Sequence, residues 1–351
     1  MSGDDGMGVR FGTVIPLSPE WGEIDRTSKY ARQLERWGYD HLWFPDERFQ
    51  RNVYAVMALA SLGTKRVTLG TCVTNPYTRH PLITAAAIGT INELSRGRAI
   101  LGVGAGASTL FDYHAMERPS PPTSAIREAV EVIRAMTAGR TVSYSGRTLS
   151  FRGASLDFES KPVPIYIAGR GPRLFQLAGE VADGVIIGSL ASKEGLDYAL
   201  GNLRKGAERA GRDPSGIDVV FWAYTSMMDD EEAAKQSVKR IVVSSMWSSK
   251  SILDRLGISD SVWKPIEDVL NAGFQKGLPR DRVFSEAFEH LPDHVLDAWS
   301  VTGSPERVTR KIKSIVDSGV KHVSFTPCGG SIGDVRVMQK QLAEFVIPKF
   351  R

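Results

Sequence analysis

The run Thr71–Pro81, TCVTNPYTRHP, gathers hydroxyl, amide, phenol, guanidinium and imidazole groups into one short segment bracketed by Pro76 and Pro81. It follows Arg66–Gly70 (RVTLG), whose apolar, β-branched character reads as a buried strand. In a parallel α/β protein the loops that leave the carboxyl ends of strands are where ligands bind. The run therefore reads as the wall of a binding site. The alternative is an ordinary polar surface loop.

Further stretches carry related chemistry. Gly102–Gly106 (GVGAG) lacks the G-x-x-G spacing and the prompt helix of a dinucleotide-binding turn. Around Gly104, Ala105 and Gly106 it offers backbone that can lie close under a flat ligand, although a tight turn at a barrel rim explains it equally well. Ala168–Arg173 (AGRGPR) precedes a helix that starts near Pro172. Gly169, Gly171 and Pro172 leave backbone N–H groups and a helix dipole facing outward, and Arg170 and Arg173 add positive charge. This is either a phosphate site or a purely structural turn. Gly184 and Gly188, at the two ends of the next strand, add small residues at the adjacent rim. Asp46 and Glu47, in FPDERF, form a carboxylate pair suited to binding a hydroxyl chain and to proton transfer, or else to pairing with Arg48 or Arg51. His80 and His114 share that rim without a second ligand at metal spacing, so no metal is expected. No Ser-His-Asp or nucleophile-elbow pattern is present.

Alternating strands and helices must position these groups. Strands are expected at Arg10–Pro16, His41–Phe44, Val67–Cys72, Ala99–Val103, Pro164–Ala168, Gly184–Gly188, Asp218–Tyr224 and His322–Thr326. Helical patterns fall at about Asp25–Trp37, Tyr54–Gly63, Leu82–Leu94, Ser124–Ala138, Pro172–Ala182, Lys193–Ala210, Glu231–Ser244 and Pro305–Ser318. Asp25 and Ser304 are candidate helix caps, and Gly319 a helix stop. Eight such units favour a closed (β/α)₈ TIM barrel of the α/β class. The expected organisation is a disordered lead over 1–9 and a single barrel domain over 10–351. Two insertions interrupt it: a hairpin at about 141–160 and a mostly helical segment at 245–300, before the last βα unit. The second carries Trp247, Trp263 and Trp299, which would supply a substrate pocket or an oligomer contact.

With 351 residues, 42% hydrophobic and 24% charged, the chain has an ordinary globular composition. Its net charge of +4 comes without a Lys/Arg-rich block, which argues against a nucleic-acid partner and suits an anionic small ligand. No apolar run is long enough for a membrane span. The two cysteines, Cys72 and Cys328, make no disulfide framework, as suits a reducing cytoplasm.

The order WFPD, VTLGTCVTNPYTRHP, LSRGRAILGVGAG, PIYIAGRGP, LAGEVADGVIIGS and GSPERV…IVDSGVKHV resembles the bacterial-luciferase-like barrels. Within them it is most similar to the coenzyme F420-dependent methylenetetrahydromethanopterin reductases, from Arg10 onward. The resemblance implies an oxidoreductase that transfers a hydride between C5 of a bound deazaflavin and an organic substrate. It also implies a non-prolyl cis peptide at Cys72–Val73 behind the ring, with Thr74 and Asn75 along the ring edge. Coenzyme contacts carry over to Asp46, Thr74, Gly104, Gly169, Gly171 and Gly184, with the phosphate near Gly169–Pro172. Family members are commonly dimers or larger, so a homodimer or tetramer is expected.

Three positions depart from the family pattern. Val14 stands where those reductases have Glu, Ala107 where they have Asp, and Glu47 where F420 enzymes have His after Asp46. The expectation is retained F420 with a substrate other than methylenetetrahydromethanopterin, and Glu47 beside Asp46 as the proton donor or acceptor. An FMN-dependent luciferase-type monooxygenase uses the same cradle and is the alternative enzyme. A non-catalytic flavin or deazaflavin binder is the alternative from another class.

Overall fold

A computed structural model of the chain describes residues 8–17, 23–47, 49–106, 121–329 and 331–351. The lead before Gly8, Arg48, Ala107 and His114 lie outside the described residues. The strands are β1 (Arg10–Val14), β2 (His41–Phe44), β3 (Thr68–Thr71), β4 (Ala99–Val103), β5 (Val142–Ser145), β6 (Ser150–Ala154), β7 (Ile165–Gly169), β8 (Gly184–Gly188), β9 (Asp218–Met227), β10 (Val301–Gly303) and β11 (His322–Pro327). All eight strands expected from the pattern are present. They close in parallel as β1-β2-β3-β4-β7-β8-β9-β11, with Arg10 of β1 opposite His322 of β11. This is a (β/α)₈ barrel.

The helices are α1 (Thr27–Arg36), α2 (Val53–Gly63), α3 (Pro81–Leu94), α4 (Pro122–Thr137), α5 (Pro172–Val181), α6 (Lys193–Arg209), α7 (Glu231–Trp247), α8 (Asp260–Gln275), α9 (Arg280–Phe288), α10 (Asp293–Trp299), α11 (Pro305–Asp317) and α12 (Ile332–Gln341). Their starts follow local chemistry. The Asn52 side chain accepts from Tyr54 and Ala55 N–H to open α2, and Ser304 with Pro305 opens α11. Gly319, at φ +96°, ends α11 as expected. Asp25 does not cap α1: it sits inside a 3₁₀ turn, and the N-cap position falls to Arg26 without a side-chain bond.

β5 and β6 form the expected antiparallel hairpin. In the second insertion Trp263 and Trp299 are buried, and Trp247 packs on Trp263 and Phe274 with ring centroids 6.5 and 5.6 Å apart. Trp247 and Trp263 thus pack within the insertion, while the Trp299 ring lies against the Arg170 guanidinium. Two elements had no counterpart in the sequence pattern. β10 pairs with the end of β9, and α12 brings the fully buried Gln339 against the barrel, where its Nε2 donates to Thr13 Oγ1 at 2.9 Å and to the Val14 carbonyl at 3.1 Å.

Alternate strand residues point inward. Val14, Trp43, Ile100, Tyr166, Ile186 and Val220 fill the barrel centre, separately from the larger core beneath the helices. At the amino end lies a polar cluster. Asp218 pairs with Arg10 and accepts from Tyr166 Oη at 2.7 Å, with His322 Nδ1 3.3 Å away. The ring of His41 lies 4.0 Å from that of His322. Burial favours the uncharged form of Asp218, but His322, Arg10 and Tyr166 outweigh it and hold the carboxyl well below its usual range. Burial lowers both imidazoles, with Arg10 adding to the effect.

The sign of the pH dependence follows. The unfolded chain takes up protons on these histidines below pH about 6.5 while the folded chain resists them. Stability is therefore full above that value and falls as the pH drops. Urea unfolding is expected to show a loss of about 1 kcal/mol per imidazole between pH 7 and pH 5.5, about half of it removed in His41→Phe. An undiminished loss in that variant would show that His41 protonates freely in the folded chain.

Candidate functional site

At the carboxyl end of β2 the chain emerges as Pro45-Asp46-Glu47, facing the loop after β3. Thr74 Oγ1 donates to Asp46 Oδ2 at 2.7 Å, and Arg79 grips the same carboxylate through both Nε and Nη2, the latter at 2.8 Å. The guanidinium also lies 5.5 Å from the centre of the Tyr54 ring. The cation that takes up Asp46 is therefore Arg79, and Asp46 is a structural acceptor whose charge is already met. Burial, with Asp46 close by, pushes the Tyr54 hydroxyl upward, so it stays a neutral phenol.

The Thr71–Pro81 loop turns much of its polarity on itself. Asn75 Oδ1 accepts from the N–H groups of Tyr77 and Thr78, each at 3.0 Å, and His80 Nδ1 accepts from Leu82 N–H at 3.3 Å to start α3. Thr74 and Asn75, expected along a ring edge, are buried and committed to these contacts. The Cys72–Val73 peptide is cis, as the resemblance implies. Beyond it, Thr74 N–H donates to the Gly102 carbonyl at 3.0 Å and Gly104 N–H to the Thr74 carbonyl at 2.9 Å, which seats the loop on β4. Glu47 is exposed and accepts from Gln50 Nε2 at 3.3 Å. Burial, reinforced by the negative charges of Glu47 and Asp46, holds the Cys72 thiol well above its ordinary value, and burial pushes Cys328 up to about 12. Neither cysteine supplies a thiolate nucleophile.

The mouth itself is cleared of bulk. A Cβ on Gly104 would fall 2.7 Å from Val73 Cγ2, so glycine is what lets the cis segment lie flat against β4. Ala168 and Gly188 are the inward positions of the neighbouring strands, and Ala105 is half-buried beside the positive-φ turn at Gly106. Gly171 is the N-cap of α5, with Pro172 at its first position and no side-chain cap. A Cβ there would meet nothing within 4 Å, Pro172 has no N–H, and Leu174 N–H donates to the Gly171 carbonyl at 3.1 Å, so the Gly171 and Arg173 N–H groups are the ones left for an anion at this helix start. Gly169 is packed against Leu174.

Two expectations about this rim are corrected. Gly184 lies at the amino end of β8, opposite Asp218, where its lack of a side chain makes room for the Tyr166 ring 2.6 Å from the Cβ position. It is a packing residue at the far end of the barrel from the mouth. The Arg170 side chain does not join the start of α5: it arches over Gly188 toward β9 and α7. Sequence reasoning also missed Arg79 as the partner of Asp46, and missed Tyr224, Ser245 and Ser249 around Arg170.

Fold and site together define a parallel α/β barrel whose carboxyl mouth carries a cis-peptide ledge, a cleared face and an uncapped helix start. Residues 8–322 match the model of the luciferase-like monooxygenase family, and the chain belongs to that family. It is 35% identical to a 5,10-methylenetetrahydromethanopterin reductase of Archaeoglobus fulgidus, over 98% of this chain and all of that one. An F420-dependent glucose-6-phosphate dehydrogenase of Nakamurella multipartita is 30% identical, over 98% of this chain and 97% of the other. Among solved structures, the coenzyme F420-dependent tetrahydromethanopterin reductase of Methanopyrus kandleri superposes with a TM-score of 0.83 at 28% identity, covering 98% of this chain and 100% of that one.

The Asp46–Arg79 pair ties the exit of β2 to the loop after β3. With the Arg79 side chain 27% exposed, Arg79→Gln is expected to cost about 1–2 kcal/mol, below the range for fully buried pairs. Urea unfolding checks this, with exposed Arg282→Gln as a control that stays within about 0.5 kcal/mol.

Proposed function

We propose that the chain is an F420-dependent oxidoreductase acting on a small organic substrate other than methylenetetrahydromethanopterin. The observation that carries this is the cleared ledge formed by cis Cys72–Val73 and Gly104 beside the uncapped start of α5. Two of the three relatives above are named for F420, which favours deazaflavin over flavin. Cys72, Val73, Gly104, Ala105 and Gly106 would hold the ring, and the Gly171 and Arg173 N–H groups at the start of α5 its phosphate. When bound, the deazaflavin supplies C5 as the donor or acceptor of hydride.

The protein's own part is placement and proton traffic. The Asp46–Arg79–Thr74 contact fixes the ledge, so bound ligand meets a surface that does not have to reorganise. Glu47, at the rim and close enough to act on Cys72, is the group we assign to proton exchange with the substrate. The substrate differs because the acids of the reductase pattern are replaced: Val14 is a buried apolar residue beside Trp43 in the barrel centre.

Fluorescence titration of the purified protein is expected to show F420 binding at micromolar Kd or tighter, FMN binding at least about tenfold weaker, and a loss of at least about tenfold in Gly104→Val. Binding of FMN alone would instead indicate the monooxygenase, and F420 binding without turnover of any donor or acceptor would indicate a non-catalytic binder. Glu47→Gln is expected to lower kcat by about 100-fold or more while the F420 Kd moves less than about twofold. Normal turnover by that variant would remove Glu47 from the mechanism.

A further inference from the structure

Arg170 follows the last residue of β7 and points inward above Gly188, where a Cβ would fall 3.0 Å from its Nε. Nε donates to the Gly188 carbonyl at 3.0 Å, and Nη2 donates to Tyr224 Oη at 3.1 Å and Ser245 Oγ at 3.0 Å. Nη1 has a single long contact, 3.4 Å to Ser249 Oγ. The guanidinium also lies 5.9 Å from the centre of the Trp299 ring. Among the described residues no carboxylate pairs with it, in contrast to Arg79 on Asp46, Arg10 on Asp218 and Arg307 on Asp297. Its neighbours are neutral hydroxyls, a carbonyl and an aromatic face.

We propose that Arg170 and Ser249 form an oxyanion subsite at the barrel mouth that recognises a carboxylate or phosphate group on the substrate. The proposal rests on the mouth being the substrate-handling end of the barrel. Tyr224, Ser245 and Ser249 are buried and hold the guanidinium in place, while Arg170 itself is half-buried and keeps part of its surface accessible. Each N–H already spent fixes the fork's orientation, and the under-used Nη1 is left beside the Ser249 hydroxyl, which can turn its proton outward. A planar cation held by neutral groups gains most from an oxyanion, because no resident carboxylate has to be displaced. The subsite is also distinct from the start of α5, which Arg170 turns away from, so substrate anion and coenzyme phosphate have separate anchors. Ser249 lies just past the end of α7, which makes the second insertion part of the substrate wall.

The test uses the F420-loaded protein, with the coenzyme's own anion site filled, titrated calorimetrically with inorganic phosphate and, separately, with acetate. At least one of the two is expected to bind, and which one binds more tightly identifies the substrate's group. Arg170→Gln is expected to weaken it about tenfold or more and Ser249→Ala about threefold, with the F420 Kd within about twofold of the parent. Unchanged anion binding in both variants would overturn the proposal, as would a matching loss of F420 affinity, which would assign Arg170 to the coenzyme. If Arg170→Gln fails to fold, Ser249→Ala decides alone. If the parent protein does not bind F420, the same titrations on the unloaded protein still test the subsite. An Arg170-dependent loss there supports it while the F420 reading fails.

Discussion

A parallel strand sends every second side chain to the same face, and in a closed barrel that one rule fixes both what fills the centre and what is left open at the mouth. On β7 it makes Tyr166 an inward residue, then Ala168, then Arg170 just past the strand. On β8 it makes Gly184, Ile186 and Gly188 inward. The same two strands therefore supply a packed base, an apolar middle and a cleared rim with one cation over it. A one-residue slip of register would exchange these for Ile165, Ile167, Val185 and Ile187, which now pack beneath the helices. The strong burial on both faces is what forbids the slip.

The polar groups are sorted along the same axis. At the amino end Asp218 is met by Arg10, Tyr166 and His322, while His41 Nδ1 and His322 Nε2 are buried without a hydrogen-bond partner among the described residues, and burial keeps the histidines uncharged. At the carboxyl end Asp46 is satisfied by Thr74 and Arg79, which converts a possible acid into a brace. Once that brace is in place, the loop after β3 needs little further support. Asn75 and His80 close its turns internally, and the Thr74–Gly102 and Gly104–Thr74 bonds seat it on β4. The ledge is rigid because its polar side chains bond inward.

Much of this was legible in the sequence, for a physical reason. Strands buried on both faces are apolar throughout, and helices between them carry a 3.6-residue pattern, so the eight-strand alternation could be read directly. β10 escaped because three residues, Val301–Gly303, carry no period. α12 escaped because polar Gln339 is buried beside Val335 and Met338 while Val337 is exposed, which blurs its apolar period. At the site, the density of polar groups in Thr71–Pro81 was visible, but their partners were not. Asp46 and Arg79 are 33 positions apart, and only the adjacency of β2 and β3 brings them together. Gly184 was misplaced because a glycine at the start of a strand and one at its end look alike in sequence and lie at opposite ends of a barrel.

Arg170 shows how the two levels combine. In sequence it stands between Gly169 and Gly171, and proximity alone assigns its charge to the helix start that follows. Alternation along β7 decides otherwise, since it turns this side chain into the mouth and leaves the backbone amides of Gly171 and beyond to the helix end. The absence of a side chain at Gly188 gives the guanidinium its place, and Tyr224 with Ser245 fixes its tilt. Replacement of either hydroxyl by a carboxylate would have met the charge and closed the fork, as Asp46 does for Arg79. Neutral hydroxyls hold the cation without cancelling it. Beside a ledge built from backbone and small residues, such a cation is where discrimination among anionic ligands has the most electrostatic leverage.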